Sequence, residues 1–455
     1  MSFVSSKMLF SSGAIATGYF WAKSSSFFRI EDIEVDQDDN VYLGGTVGST
    51  SQQRPYIGKY DAELSQGWGK RRSVYGPQAA IFKIKTVTSG NNYDWIFAQG
   101  REYQSNNGNY NPTISRFRPD GTQDYDKKFN TGDDCFNLAI SGTAGSVNLC
   151  MTGNNFDQSP SHTMAYTMDE NLSGVYRNTR IYGEQCTAAL TGIPYNSQNR
   201  FVQGMERSTN SKNFGFCRHH AIGQGAGTDV SGAIGDYETF CMSHKRDSNT
   251  WGSRLFGFGR ESGEHMMMMG WQPWINSGDS NTLLFAKGYR FNSESSCESC
   301  DSFFSYNEDS SGTNYVYNAF VTSSSGWVTK HNEGNGNIIW ARRFQLNNQE
   351  FGRISISQDS NYDIWVAGYA TSGNLANNGF VAKIPNDGSY TGTYGDFDYQ
   401  NYSSVSTKTG VSRNSDANIN HDFASYSPSS PTTAWSSSTI SISEDDSVID
   451  YLQLD

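Results

Sequence analysis

The chain has 455 residues and a formal net charge of −12 with a pI near 5.1, so as a whole it repels phosphate backbones and anionic membrane surfaces. A mean hydropathy of −0.62, with no run of apolar residues long enough to cross a bilayer, argues against a membrane-spanning helix. The 46 glycines, 10 prolines and 14% aromatic residues suit thin, aromatic-packed sheets joined by tight turns, and no capped helical period stands out.

Residues 1–32 run through Met8-Leu9-Phe10 to Tyr19-Phe20-Trp21. Ser11, Ser12 and Gly13 interrupt the apolar stretch, which is too short for a signal peptide. The segment reads as an arm that closes a ring or docks onto another protein, because its aromatics need cover.

From Ile33 a motif recurs with a period of about 53 residues. Its clearest copies are Ile33-Glu34-Val35-Asp36 through Val41-Tyr42-Leu43-Gly44-Gly45 and Ile354-Ser355-Ile356-Ser357 through Ile364-Trp365-Val366-Ala367-Gly368. Each is an alternating strand, a polar Asp-rich turn, a second strand and a glycine. The glycine recurs as Gly45, Gly100, Gly153, Gly204, Gly259 and Gly368, with Ala319 in the sixth place. Third strands follow at Tyr56-Ile57-Gly58, Ile114-Ser115-Arg116, Met164-Ala165-Tyr166, Phe214-Gly215-Phe216, Leu283-Leu284-Phe285, Trp327-Val328-Thr329 and Phe380-Val381-Ala382. Asp120-Gly121 and Asp387-Gly388 are hairpin-turn dipeptides, while Trp68 and Trp340 mark the fourth strand. Residues 33–396 are therefore expected to form an all-β propeller of seven four-stranded blades, with six blades plus an irregular module as the alternative, a single domain whose core is shared between neighbouring sheets.

Unit five carries an apparent insertion over Glu261–Asn281, with Met266-Met267-Met268-Met269 as an adaptable apolar patch and Trp271 and Trp274 as exposed candidates for ligand contact. Beyond, residues 397–455 are rich in Ser, Thr and Asn, and Thr433–Ser443 offers a closing strand.

Chemistry-bearing motifs are scarce. The sequence holds no convincing G-x-S-x-G elbow, HExxH, P-loop or GxGxxG, and His219-His220 is the single histidine pair. Ser357-Gln358-Asp359 opens like the S-x-D-x-G-x-x-W box of sialidase-like propellers, but Asn361 replaces the glycine and Trp365 falls one position late. Asp36 and Asp38, and Asp359 and Asp363, space oxygens as a calcium loop would, although tight hairpins use the same residues as caps. Cys297-Glu298-Ser299-Cys300 is a lone CxxC among seven scattered cysteines, better read as two unpaired thiols than as a zinc or redox site. Lys70-Arg71-Arg72 reads as a solvated strand end. No catalytic, cofactor-binding or metal-binding residue is nominated, and no cofactor is expected.

Unit one, with I-x-V-D-x-x-D-N-V-Y-L-G-G, then Ile57-Gly58-Lys59-Tyr60-Asp61 and Trp68, resembles the seven-bladed propeller repeat of bacterial and bacteriophage proteins. Units six and seven share the pattern through Trp327-Val328-Thr329-Lys330 and Val381-Ala382-Lys383-Ile384. The resemblance implies a non-enzymatic virion protein of a tailed phage, made in the host cytoplasm and tail- or fibre-associated. Its partners would be other virion proteins and a host-surface glycan, without nucleic acid or membrane insertion. A secreted carbohydrate-binding lectin is the alternative. A propeller glycosidase, the third reading, requires carboxylates converging at the ring axis or on one face.

Overall fold

The innermost strands Phe28–Val35, Ala80–Val87, Asp133–Ser141, Cys186–Ile193, Tyr237–Lys245, Ser299–Ser305 and Phe351–Gln358 each lie against the next, and the last lies against the first. The computed structural model describes residues 19–23, 28–408 with gaps between strands, 420–425 and 435–437. Among these residues there are seven antiparallel sheets, here numbered blades 1 to 7 in chain order, and the chain is an all-β propeller.

The recurrent glycine marks a crowded point in the blade. A Cβ on Gly45 would stand 1.9 Å from the Arg29 carbonyl oxygen, on Gly100 2.3 Å from that of Ala80, and on Gly368 2.2 Å from that of Arg353. The crowding accompanies a β-bulge: in blades 1, 2, 3, 5 and 7 the innermost strand skips one residue within two places of the glycine's partner. Blade 6 has Ala319 at that position and an unbroken register, with Asp301 opposite it. Gly204 of blade 4 faces Ala189 in regular pairing as well, so the glycine is needed for the bulge without dictating it.

The polar turns share one geometry. The Asp36 carboxylate accepts from the amides of Asp38 and Asn40, Asp309 from those of Ser311 and Thr313, and Asp359 from those of Asn361 and Asp363. The fourth residue enters the left-handed region, at φ 59° for Asp39, 73° for Gly312 and 67° for Tyr362. The aromatic side chain six places on then donates to the same aspartate: Tyr42 to Asp36 at 3.1 Å, Tyr315 to Asp309 at 2.9 Å, Trp365 to Asp359 at 3.1 Å. N–H and O–H donors thus occupy the oxygens that a calcium ion would use, which makes these turns hairpin caps.

Fourth-strand tryptophans join blades. Trp68 Nε1 donates to Pro119 O of blade 2 at 2.8 Å, and Trp340 Nε1 to Asn386 O of blade 7 at 3.1 Å. Gly121 (φ 80°) and Gly388 (φ 69°) turn directly over these rings, where a Cβ would come within 2.8 and 2.9 Å of them. The apolar core is accordingly split into clusters between blades, such as Leu43, Tyr56 and Trp365 between blades 7 and 1.

Two sequence readings are corrected. Unit five holds no insertion there: His265–Gln272 is its third strand and Thr282–Phe291 its fourth, with Met266 and Met268 buried in the cluster shared with blade 6. Trp271 pairs with Leu255 and Leu283 in that sheet, and Trp274 lies outside the described residues. Arg72 is not solvated. Strand alternation turns it between blades 1 and 2, fully buried, onto Glu102 at 2.7 Å and Asp126 at 2.6 Å.

Among the described residues, strands from both the N-terminal and C-terminal segments lie on the ring. Phe20–Lys23 pairs with Gly379–Ile384 as the outermost strand of blade 7. Four strands of the C-terminal segment lie on outer edges in the reverse order of the blades: Phe397–Asn401 on blade 6, Val405–Lys408 on blade 5, Asn420–Ser425 on blade 3 and Trp435–Ser437 on blade 1. Each covers the exposed edge of an outer strand, a place where sheets otherwise recruit other chains.

Candidate functional site

Side chains of the innermost strands of blades 6, 7, 1 and 2 meet at the ring axis. Asp32, Lys83 and Ser355 stand opposite Gly44, Gln99 and Ala367, the residue before the recurrent glycine in each unit. Lys83 Nζ lies 2.7 Å from Asp32 Oδ1 and 2.9 Å from Asp301 Oδ2. Ser355 Oγ lies 2.6 Å from each of the same two oxygens, and the Ile84 amide donates to Asp32 Oδ2 at 2.6 Å. Burial opposes the charge on Asp301, but Lys83 and the Ser355 hydroxyl outweigh it and hold the carboxyl below its ordinary range. Burial likewise opposes the Lys83 charge, and Asp301 and then Asp32 push its pKa up instead. One turn-ward step on, Lys85 pairs with Glu34 at 2.7 Å; burial raises the Glu34 carboxyl despite that lysine.

A second cluster adjoins the first, on its side away from Lys85 and Glu34. Glu31, the bulged residue of blade 1, is buried and meets Arg353 of blade 7 at 3.3 Å. Burial pushes the Glu31 carboxyl up, against the pull of Arg353, Arg29 and Arg101. The Arg353 and Arg101 guanidinium groups lie 5.4 and 5.0 Å from the Phe82 ring centre, and Arg29 lies 5.3 Å from that of Tyr369. Glu31, and then burial, raise the Tyr369 hydroxyl.

The CxxC thiols sit in the blade 5–6 core. Cys241, Cys297 and Cys300 all belong to one apolar cluster, and burial pushes the Cys300 and Cys241 thiols up, opposing the thiolate a metal would need. Among the described residues no group of three or more His, Cys, Asp or Glu is arranged to hold a metal ion. His219 and His220 lie on the third strand of blade 4.

Sequence reasoning did not pick out the axial residues. Aligning the units on their glycine puts Asp32 and Ser355 in one column, each thirteen residues before Gly45 and Gly368, but Lys83 stands seventeen before Gly100, because more residues separate the first two strands of blade 2, so the column alone does not reveal it.

No family model matches this sequence, and no curated protein does. Solved structures similar to it include the Dos1 propeller, at 8% identity and a TM-score of 0.44 over 81% of this chain and 96% of that one. Drosophila semaphorin 2a is 8% identical with a TM-score of 0.41 over 80% and 75%, and the polysaccharide lyase Uly1 8% identical with 0.42 over 78% and 90%. The architecture stated above rests on the sheets themselves.

Proposed function

We propose that this chain is a non-enzymatic structural protein of a tailed-phage virion, tail- or fibre-associated, whose propeller serves assembly and attachment to the host surface. The axial network carries the reading. Asp32 and Asp301 are the converging carboxylates a propeller hydrolase would place at its axis, yet both are held by Lys83 and Ser355 in contacts of 2.6 to 2.9 Å that tie four blades together. Charge at this level joins strands instead of facing a substrate. The repeat's resemblance to bacteriophage propellers supplies the particle. Mass spectrometry of particles purified from a lysed culture of the source tests it: stoichiometric co-sedimentation with capsid and tail proteins is expected, and absence from intact particles overturns the reading.

A carbohydrate-active reading draws on the second cluster, where a buried carboxylate, three arginines and Tyr369 lie together. It requires glycan binding or hydrolysis that Glu31→Gln abolishes without loss of folding.

A further inference from the structure

The C-terminal segment divides at about Tyr402. Before it, Phe397 and Tyr399 are buried against blades 6 and 7, and Tyr402 stacks edge-on to Trp327 at 4.7 Å. After it, Ser403, Ser404 and Ser406 are exposed, Val405 packs against the blade 5–6 cluster, and the described strands, of 4, 6 and 3 residues, pair with the rim. The ring itself does not depend on them, because Phe20–Lys23 already completes blade 7. The anchored stretch is therefore followed by a series of short strands laid on the outer edges of blades 5, 3 and 1.

We propose that the strands Val405–Lys408, Asn420–Ser425 and Trp435–Ser437 are exchanged between copies of this chain, so that in an assembly the rim of one copy carries these strands of its neighbour. The occupant that fits these edges is defined by the structure: Asn420–Ser425 on Tyr176–Ile181, and Trp435–Ser437 on Lys70–Arg72, both antiparallel. Reciprocal exchange restores every one of those hydrogen bonds in the second copy, so the two arrangements differ by the entropy of association and the strain in the connections. Local concentration then decides between them. Crowding of copies in a particle, which rests on the function proposed above, would favour the exchanged form; an isolated chain at low concentration keeps its own tail. Each of these strands pairs only at the outer edge of its blade, so exchange needs no unfolding of the ring.

The test uses full-length chains in solution, so it does not depend on the virion reading. Tyr176 and Ser425 are directly paired. One preparation carries Tyr176→Cys, a second Ser425→Cys, and a third both substitutions in one chain. The doubly substituted chain at low concentration is expected to form an internal disulfide between the two new cysteines, identified by peptide mapping, which shows that the register is right. Mixed single variants are expected to form an interchain disulfide between the same two positions, rising at least tenfold in yield over a hundredfold rise in protein concentration. Internal crosslinking with no interchain product at any concentration would overturn exchange and leave the tail a purely internal cover. Absence of the internal disulfide would overturn the pairing itself, and the proposal with it.

Discussion

Replacing Lys83 by methionine isolates the energetics of the axis. The ammonium group is shared by Asp32 and Asp301, whose side chains are 1% and 16% exposed, and Lys83 itself is 12% exposed. Ser355 cannot substitute for it, since its single proton serves only one of the two carboxylates it touches at a time. Lys83→Met therefore leaves two enclosed carboxylates facing each other, and breaking a buried pair in this way costs about 3–5 kcal/mol at neutral pH. The penalty should shrink in acid. In the wild type Asp301 is held low, so its contribution is complete above the unfolded carboxylate range and is lost as pH falls through the lower native value. In the variant the two carboxylates share a proton that the unfolded chain has already released near pH 5–6, so its stability rises as pH falls through that interval. Denaturant unfolding of the full chain at pH 7.5 and pH 5 measures both, with the variant expected to recover about 1–2 kcal/mol relative to wild type at the lower pH. A variant within about 1 kcal/mol of wild type at pH 7.5, or a gap that does not narrow at pH 5, would refute the assignment of Lys83 as the shared counter-ion.

Gly368→Ala forces a Cβ to 2.2 Å from the Arg353 carbonyl oxygen; a loss of about 2–3 kcal/mol is expected in thermal or urea unfolding, against a near-neutral result if the bulge can relax. Tyr362 holds φ 67° at the end of its turn, so Tyr362→Gly should stabilise the chain by about 1 kcal/mol, read as a raised unfolding midpoint. His331 is buried, with Nδ1 3.0 Å from Gly336 O and Nε2 2.9 Å from Thr329 Oγ1, and burial pushes its imidazole from 6.5 down to about 4. Between those values the unfolded chain binds a proton that the native chain refuses, so this contribution is complete above pH 6.5 and is lost toward pH 4, by about 3 kcal/mol. A His331→Gln chain should show a correspondingly shallower fall in stability with acid, and an unchanged slope would count against the buried neutral ring.

What could be read from the sequence follows from how local each feature is. Gly45, Gly100 and Gly368 announced the blades because one crowded backbone contact recurs at one place in the unit. Trp68 and Gly121 were visible as a strand mark and a turn mark, but that the glycine seats on the tryptophan of the preceding blade was not, since the contact spans two units. Unit five went astray because Met266-Met267-Met268-Met269 shows no alternation, although every second methionine placed in the described core points inward. Arg72 was hidden within a run of like charge whose period-two geometry separates its members. Asn420–Ser425 is too short to signal itself, while Trp435–Ser437 lies within the Thr433–Ser443 stretch that reads as a strand; its place on the outer edge of blade 1, not in the closure of the ring, was not legible because both strands pair with edges of sheets built far earlier in the chain.

Closure through Phe20–Lys23 also sets an order of events during synthesis. The first strand among the described residues, Phe20–Lys23, has as its partner Gly379–Ile384, made more than 350 residues later. Blades 1 to 6 can be assembled while translation continues, but the ring stays open, with the early strand unpaired, until blade 7 is complete. Closure is then a late step between distant parts of the chain, the kind of contact that forms slowly and leaves edges exposed in the interval. Folding yield should consequently be governed by that last joint, and agents that protect sheet edges during the wait should raise it.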